Sequence, residues 1–247
     1  MIYELNDTTK VEHLFAGMED TMIRSCLQKV MGSIFVTDPD NPKSAMAFLA
    51  DFAFYAGEPD RELVAGKPNG FVVMTPPDES WAKRIEECFP NTERATRFAI
   101  RKDTKFDVPG LERMAASLPE GYSIRKIDDE LYDACLASEL FTDCVKHFGS
   151  KEGFLTRGRG FAVLKNGALV SVASSYTAYR EGIEIEIDTI EEERRKGLAS
   201  AVGATLILDC LDAGLYPSWD AANPESVRLA EKLGYTFSHA YDVYFVE

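Results

Sequence analysis

Three carboxylates stand at alternate positions in residues 184–189, EIEIDT. In an extended strand successive side chains face opposite ways, so Glu184, Glu186 and Asp188 share one face and Ile185 and Ile187 the other. The isoleucine face reads as core. Desolvated charge is costly on a central strand unless it is paired or wet. The acidic face therefore reads as a cleft wall that binds an amine and takes its proton, or else as a solvated strand face. Shortly after it, Arg194-Arg195-Lys196-Gly197-Leu198-Ala199 forms a basic turn with one glycine directly before an apolar segment. The amides that open a helix lack partners and lie at the positive end of its dipole, so this turn suits an anion, above all a pyrophosphate. A glycine there lets the backbone approach the ligand. No GxxxxGK[ST] pattern is present, which disfavours nucleotide hydrolysis, and a single glycine is not a dinucleotide fingerprint. Further on, Asn223-Pro224 reads as the cap and first residue of a helix that ends at Gly234.

The elements that must position these residues are clearest in the second half. Residues 123–127 read as a strand, and Asp128-Asp129-Glu130 is an acidic first turn that leads a helix to about Leu140. Strands at 161–164 and 169–176 flank Asn166-Gly167, a two-residue hairpin signal. A second turn at 180–182 leads into the strand 184–189. The helix from Leu198 to Leu211 is apolar nearly all round, so it is expected to be buried and rigid, with Gly214 as its stop. Three antiparallel strands followed by helix, strand and helix give an α+β class with a mixed, mostly antiparallel sheet.

In the first half, Val11, Leu14, Phe15, Met18, Met22 and Ile23 have helical spacing. Runs at 33–36, 45–55 and 71–74 read as strands, and Ser80 as the N-cap of a short helix to Cys88. A strand is expected at 97–100, and a helix carrying Leu111 and Met114 stops near Leu118-Pro119-Glu120-Gly121. Pro and Gly so close together mark the expected boundary between an α/β domain of residues 1–118 and a second domain of residues 119–247.

Composition narrows the function. The 247 residues, 45% hydrophobic and 28% charged, are those of an ordinary globular protein. No apolar run has the length of a membrane span, and the opening MIYELNDTTK, without a basic stretch followed by an apolar one, does not read as a secretory signal. Five scattered cysteines without a CxxC pair, and three histidines without ligand spacing, read as reduced thiols in a cytoplasmic protein that holds no metal. A net charge of −14 argues against nucleic acid, which needs a basic face. It suits a cationic substrate, although acidity alone equally reads as solubility.

Arg194, Gly197 and Ala199, then Asn223 and the closing Lys-Leu-Gly-Tyr of residues 232–235, together resemble the hallmark region of the GNAT superfamily of N-acetyltransferases. The wider phrasing is similar to a bacterial subfamily in which an extra N-terminal half precedes the acetyltransferase half. The specific resemblance runs from about Tyr122 onward. The N-terminal half would be either a degenerate second copy of the fold or a partner-binding or regulatory domain. The resemblance implies acetyl-CoA as co-substrate. Its pyrophosphate would lie on Arg194, Arg195, Lys196, Gly197, Leu198, Ala199 and Ser200. Backbone amides of Ile187, Thr189 and Ile190 would face the pantetheine arm, which Asn223 and, more weakly, Ser226 would also touch. Acetyl would pass directly to a primary amine of a small-molecule or peptidic acceptor, with Glu184 as first choice for general base and Glu186 as second. No acyl-enzyme is implied, because the one cysteine in these motifs, Cys210, lies on the buried helix. The tyrosine that protonates the departing thiolate in many relatives is replaced by Ala230. That departure supports a second expectation, a GNAT-like module that holds CoA without turnover.

Overall fold

The computed structural model describes residues 1–247, which divide into two compact units, Met1–Arg97 with Ala240–Glu247, and Phe98–His239.

The first unit is built from β1 (Tyr3–Glu4), α1 (Thr21–Leu27), β2 (Ser33–Val36), β3 (Ser44–Leu49), β4 (Phe52–Gly57), α2 (Arg61–Ala65), β5 (Val72–Thr75) and α3 (Glu79–Cys88), after which β6 (Glu93–Ile100) leads out. Strands β1 to β5 lie side by side in chain order; the first three pairings are antiparallel and β4–β5 is parallel. Two expectations need correction here. The run 45–55 is a hairpin and not one strand: Ala50, at φ 57, turns the chain between β3 and β4. Both arms are buried, so Asp51 alone marked the turn in the sequence. The spacing from Val11 does not make an early helix either. Left-handed Gly17 interrupts it, and α1 starts only after Asp20, whose side chain accepts from the Met22 amide. Fully buried Trp81 centres the core, stacked on Tyr55 with ring centroids 4.9 Å apart.

The second unit begins with the end of β6. It continues through α4 (Val108–Ala115), β7 (Tyr122–Lys126), α5 (Asp129–Leu136), α6 (Lys151–Arg157), β8 (Gly160–Lys165), β9 (Ala168–Tyr179) and β10 (Gly182–Thr189). Then come α7 (Leu198–Asp212), β11 (Tyr216–Ser218), β12 (Asp220–Ala221), α8 (Pro224–Lys232) and the start of β13 (Phe237–Val246). The sheet order β11-β10-β9-β8-β7 is antiparallel except for the β10–β11 pair. Asn166 and Gly167, both at positive φ, make the expected tight hairpin between β8 and β9. Helix α7 is buried along most of its length and lies close on the sheet: a Cβ at Gly203 would come within 2.9 Å of Ile187 Cδ1 and 3.1 Å of Leu233 Cδ1.

The compact units divide at Arg97/Phe98 and not at the expected Pro119–Gly121 turn. The cause is α4, which packs on α7 and so belongs with the second unit. Two further strand pairs form outside the runs β1 to β5 and β7 to β11. Phe98 and Ala99 of β6 pair with β12, and residues 244–246 of β13 pair with β5.

Candidate functional site

The site grows from a fork in the second sheet. Strands β10 and β11 run parallel for three pairs, Gly182↔Tyr216, Ile183↔Pro217 and Glu184↔Ser218. There β11 ends, while β10 continues to Thr189 with only β9 beside it. At the same point the β9–β10 register slips, Glu184 facing Thr177 and Ile185 facing Ser175, so Tyr176 is an extra residue and the sheet bends. Beyond Glu184 one edge of β10 has no strand partner. Backbone groups on a strand point alternately to its two neighbours. The Ile190 amide donates to the Val170 carbonyl at 3.0 Å, which turns it toward β9. By alternation Ile187 and Thr189 turn their backbone groups to the open edge; Ile190, expected beside them, does not.

The open edge leads to the start of α7. Gly197, at φ 85 and ψ 0, is the N-cap, and no side chain bonds the first amides of the helix. A Cβ there would meet nothing within 4 Å, so it is the left-handed backbone that favours glycine, not crowding. Leu198, Ala199 and Ser200 therefore offer uncapped N–H groups, while the side chains of Leu198 and Ser200 are buried.

The basic residues behave differently from one another. Arg194 Nε donates to the Thr189 carbonyl at 3.2 Å, and Lys196 Nζ pairs with Glu193 at 2.8 Å. Only Arg195, exposed and left-handed at φ 63, has no such bond. The anchor is Glu193, which sequence reading passed over. It is buried, and it accepts from Lys165 at 2.7 Å, from Lys196 and from the Tyr122 hydroxyl. These three donors hold its carboxyl down to about 2. Tyr122 and Lys165 come from β7 and β8, so one carboxylate ties the turn to the opposite side of its own sheet.

The three carboxylates on β10 separate as well. Glu184 is only 4% exposed, which overturns the solvated-face reading at that residue; Lys102 Nζ lies 3.9 Å from its Oε1. Glu186 and Asp188 are half-buried. Burial, and then the nearby charge of Asp143, push the Asp188 carboxyl up to about 6, while Arg194 opposes them. Asp143 sits in the 3-10 turn Thr142–Cys144 and pairs with Lys146. Glu186 and Asp188 face this turn, since both also raise the buried Cys144 thiol. Asp188 is thus the carboxylate poised near neutrality, and its place on the acidic face was the available signal.

Asn223 caps α8: its Oδ1 accepts from the Ser226 amide at 2.8 Å. The Ser226 hydroxyl accepts from Trp219 Nε1 at 3.0 Å, so cap and indole form one chain beside the fork. Ala230 is fully buried, so that position faces the interior. Tyr235 is buried as well. Its hydroxyl donates to the Pro217 carbonyl at 2.7 Å, and burial raises its proton affinity further. No group of three His, Cys, Asp or Glu side chains is arranged to hold a metal, and no helix is long and apolar enough to cross a membrane.

A family model described as GNAT acetyltransferase matches residues 12–244. An uncharacterized N-acetyltransferase, YdfB of Bacillus subtilis (strain 168), is 28% identical in an alignment that covers 91% of this chain and 90% of the relative. The crystal structure of a GCN5-related N-acetyltransferase-like protein from Streptococcus suis 89/1591 is 42% identical, with a TM-score of 0.93 over 96% of this chain and 97% of its own. A tandem GNAT protein from the clavulanic acid biosynthesis pathway shares the fold, with a TM-score of 0.55 at 13% identity over 100% of this chain and 98% of its own.

Proposed function

This chain belongs to the GNAT family of acetyltransferases, and from that premise we propose that it is an acetyl-CoA-dependent enzyme that passes acetyl directly to a primary amine. One observation carries the reading: the unpaired edge of β10 leads to a helix that starts on a left-handed glycine with no capping side chain. An extended amide-bearing arm fits the first feature and a pyrophosphate the second. The backbone of Ile187 and Thr189 pairs with the pantetheine. The amides of Leu198, Ala199 and Ser200 take the pyrophosphate, with Arg195 as its free cation and Glu193 holding the turn in shape.

An amine attacks only when neutral, so a carboxylate must take its proton. We assign that base to Asp188, whose carboxyl near 6 is ionised at neutral pH and still basic enough to accept a proton. Glu186 adds negative charge to the cleft that receives the amine. Glu184, the first expectation, is buried beside Lys102 and acts on the fork itself. Thiol release from acetyl-CoA against a panel of small and peptidic amines tests the proposal. Release with at least one amine supports it. CoA binding without release from any of them favours the second reading, a binding module, for which the buried Ala230 speaks.

The first unit we read as a degenerate copy of the same fold, because strands β1 to β5 repeat the order and the single parallel pair of β7 to β11.

A further inference from the structure

Ser218 ends β11 and is the last residue in register with β10, opposite Glu184. It is 0% exposed, and its hydroxyl has no hydrogen-bond partner. The buried serines of β9 are engaged: Ser171 with Thr189 and the Asp188 carbonyl, Ser174 with the Cys144 carbonyl, and Ser175 with Arg159. Buried hydroxyls are almost always bonded, so one that is not calls for a partner. Residues in register on parallel strands project to the same face, which puts Ser218 on the face of Glu184, Glu186 and Asp188. Lys102 spans the same fork, donating to the Trp219 carbonyl at 2.8 Å and standing 3.9 Å from Glu184. The Tyr235 hydroxyl is held by Pro217 and is not available there.

We propose that Ser218 donates its hydroxyl proton in a hydrogen bond to the sulfur of the thioester and of the departing thiolate. It does the work for which Ala230 has no group. This rests on the acetyl-CoA reading above. In the transfer the amine nitrogen bonds to the acetyl carbon, the carbon–sulfur bond breaks and its electron pair stays on sulfur. The amine proton passes to Asp188. Ser218 keeps its proton and stabilises the sulfur anion, with the Lys102 ammonium nearby and the Glu184 carboxylate opposing it.

The test compares CoA with desulfo-CoA, which lacks only the sulfur, by calorimetry at a pH where the CoA thiol is ionised. The wild-type protein should prefer CoA by about tenfold, the scale of one hydrogen bond to a charged group. Ser218→Ala should bind desulfo-CoA normally and lose the preference, and Ser218→Thr should keep part of it. The pKa of the bound CoA thiol, read from its ultraviolet absorbance, should be depressed in the wild type and not in Ser218→Ala. An equal affinity of wild type for the two ligands, or a preference that survives in Ser218→Ala, overturns the proposal and leaves the CoA reading intact. Failure of both ligands to bind wild type overturns both. Ser218→Ala should also melt no lower than wild type, because the hydroxyl has no partner within the protein. A clear drop would reveal a structural partner and overturn the assignment.

Discussion

Two crossover helices, one in each unit, connect a pair of parallel strands, and they begin in opposite ways. Helix α2 has 5 residues and α7 has 15. At the start of α2, Asp60 accepts from the amides of Glu62 and Leu63 at 2.7 and 3.3 Å, and the Thr37 hydroxyl holds its other oxygen at 2.6 Å. At the start of α7 no side chain does this. The strands differ in the same sense. The Gly57 carbonyl at the end of β4 accepts from Trp81 Nε1 at 3.0 Å, whereas β10 runs past its parallel partner with an open edge. In one unit the protein supplies its own anion and its own donor. In the other both places are left for something else. A strand order therefore creates the opportunity for a site, and the local caps decide whether it exists.

The largest effect should come from making the second helix start like the first. Gly197→Asp places a carboxylate where the pyrophosphate belongs and should weaken CoA binding by about a hundredfold or more, since like charges in contact cost several kcal/mol. The ligand-induced rise in melting temperature should disappear. An unchanged rise would mean that the turn is not the anion site.

Asp188→Asn should lower turnover by about a hundredfold, the usual scale for a lost general base, with little change in acetyl-CoA affinity. The base must be deprotonated, so the wild-type rate should climb as pH rises through about 6. Asp188→Asn should lack that step. If Glu184→Gln shows the larger loss and removes the step instead, the base is Glu184.

A smaller effect is expected at the anchor. Glu193→Gln keeps the shape but weakens three charge-assisted or hydroxyl bonds, and CoA affinity should fall several-fold. Its carboxyl is depressed to about 2, so its stabilisation is complete above the ordinary carboxylate range and is lost as pH falls toward 2. Acid unfolding of Glu193→Gln should accordingly be less steep in that window.

The smallest signal is optical. One CoA should bind per chain, and it should perturb Trp219, whose indole bonds Ser226 beside the fork. Trp81→Phe should retain the fluorescence response. Two equivalents of CoA, or a response lost with Trp81, would mean that the first unit also binds and that the two helix starts do not differ in function.

Features set by neighbouring residues were legible in the sequence. The Asn166-Gly167 hairpin, the glycine before α7 and the Asn223 cap each follow from one or two residues and their backbone preferences. Features set by distant partners were not. The polarity of Glu193 is satisfied by Tyr122 and Lys165, and the basicity of Asp188 comes from burial and Asp143, none of which is adjacent in the chain. Three consecutive cations looked like one basic patch, yet two of them bond back to the protein. The Ala50 turn was hidden because both of its strands are buried, which removes the alternation that reveals a hairpin.

The path of β13 has a consequence for biosynthesis. The first unit includes residues 240–247, with Tyr244, Phe245 and Val246 paired to β5 and the Phe245 carbonyl accepting from Thr92 at 2.7 Å. A ribosome delivers residues up to Arg97 long before this strand. The nascent first unit must therefore wait, with β5 paired to β4 on one edge and open on the other, while the entire second unit is made. Unpaired strand edges are prone to wrong partners. Stalled or prematurely terminated chains should accordingly aggregate or attract chaperones more than the finished protein does.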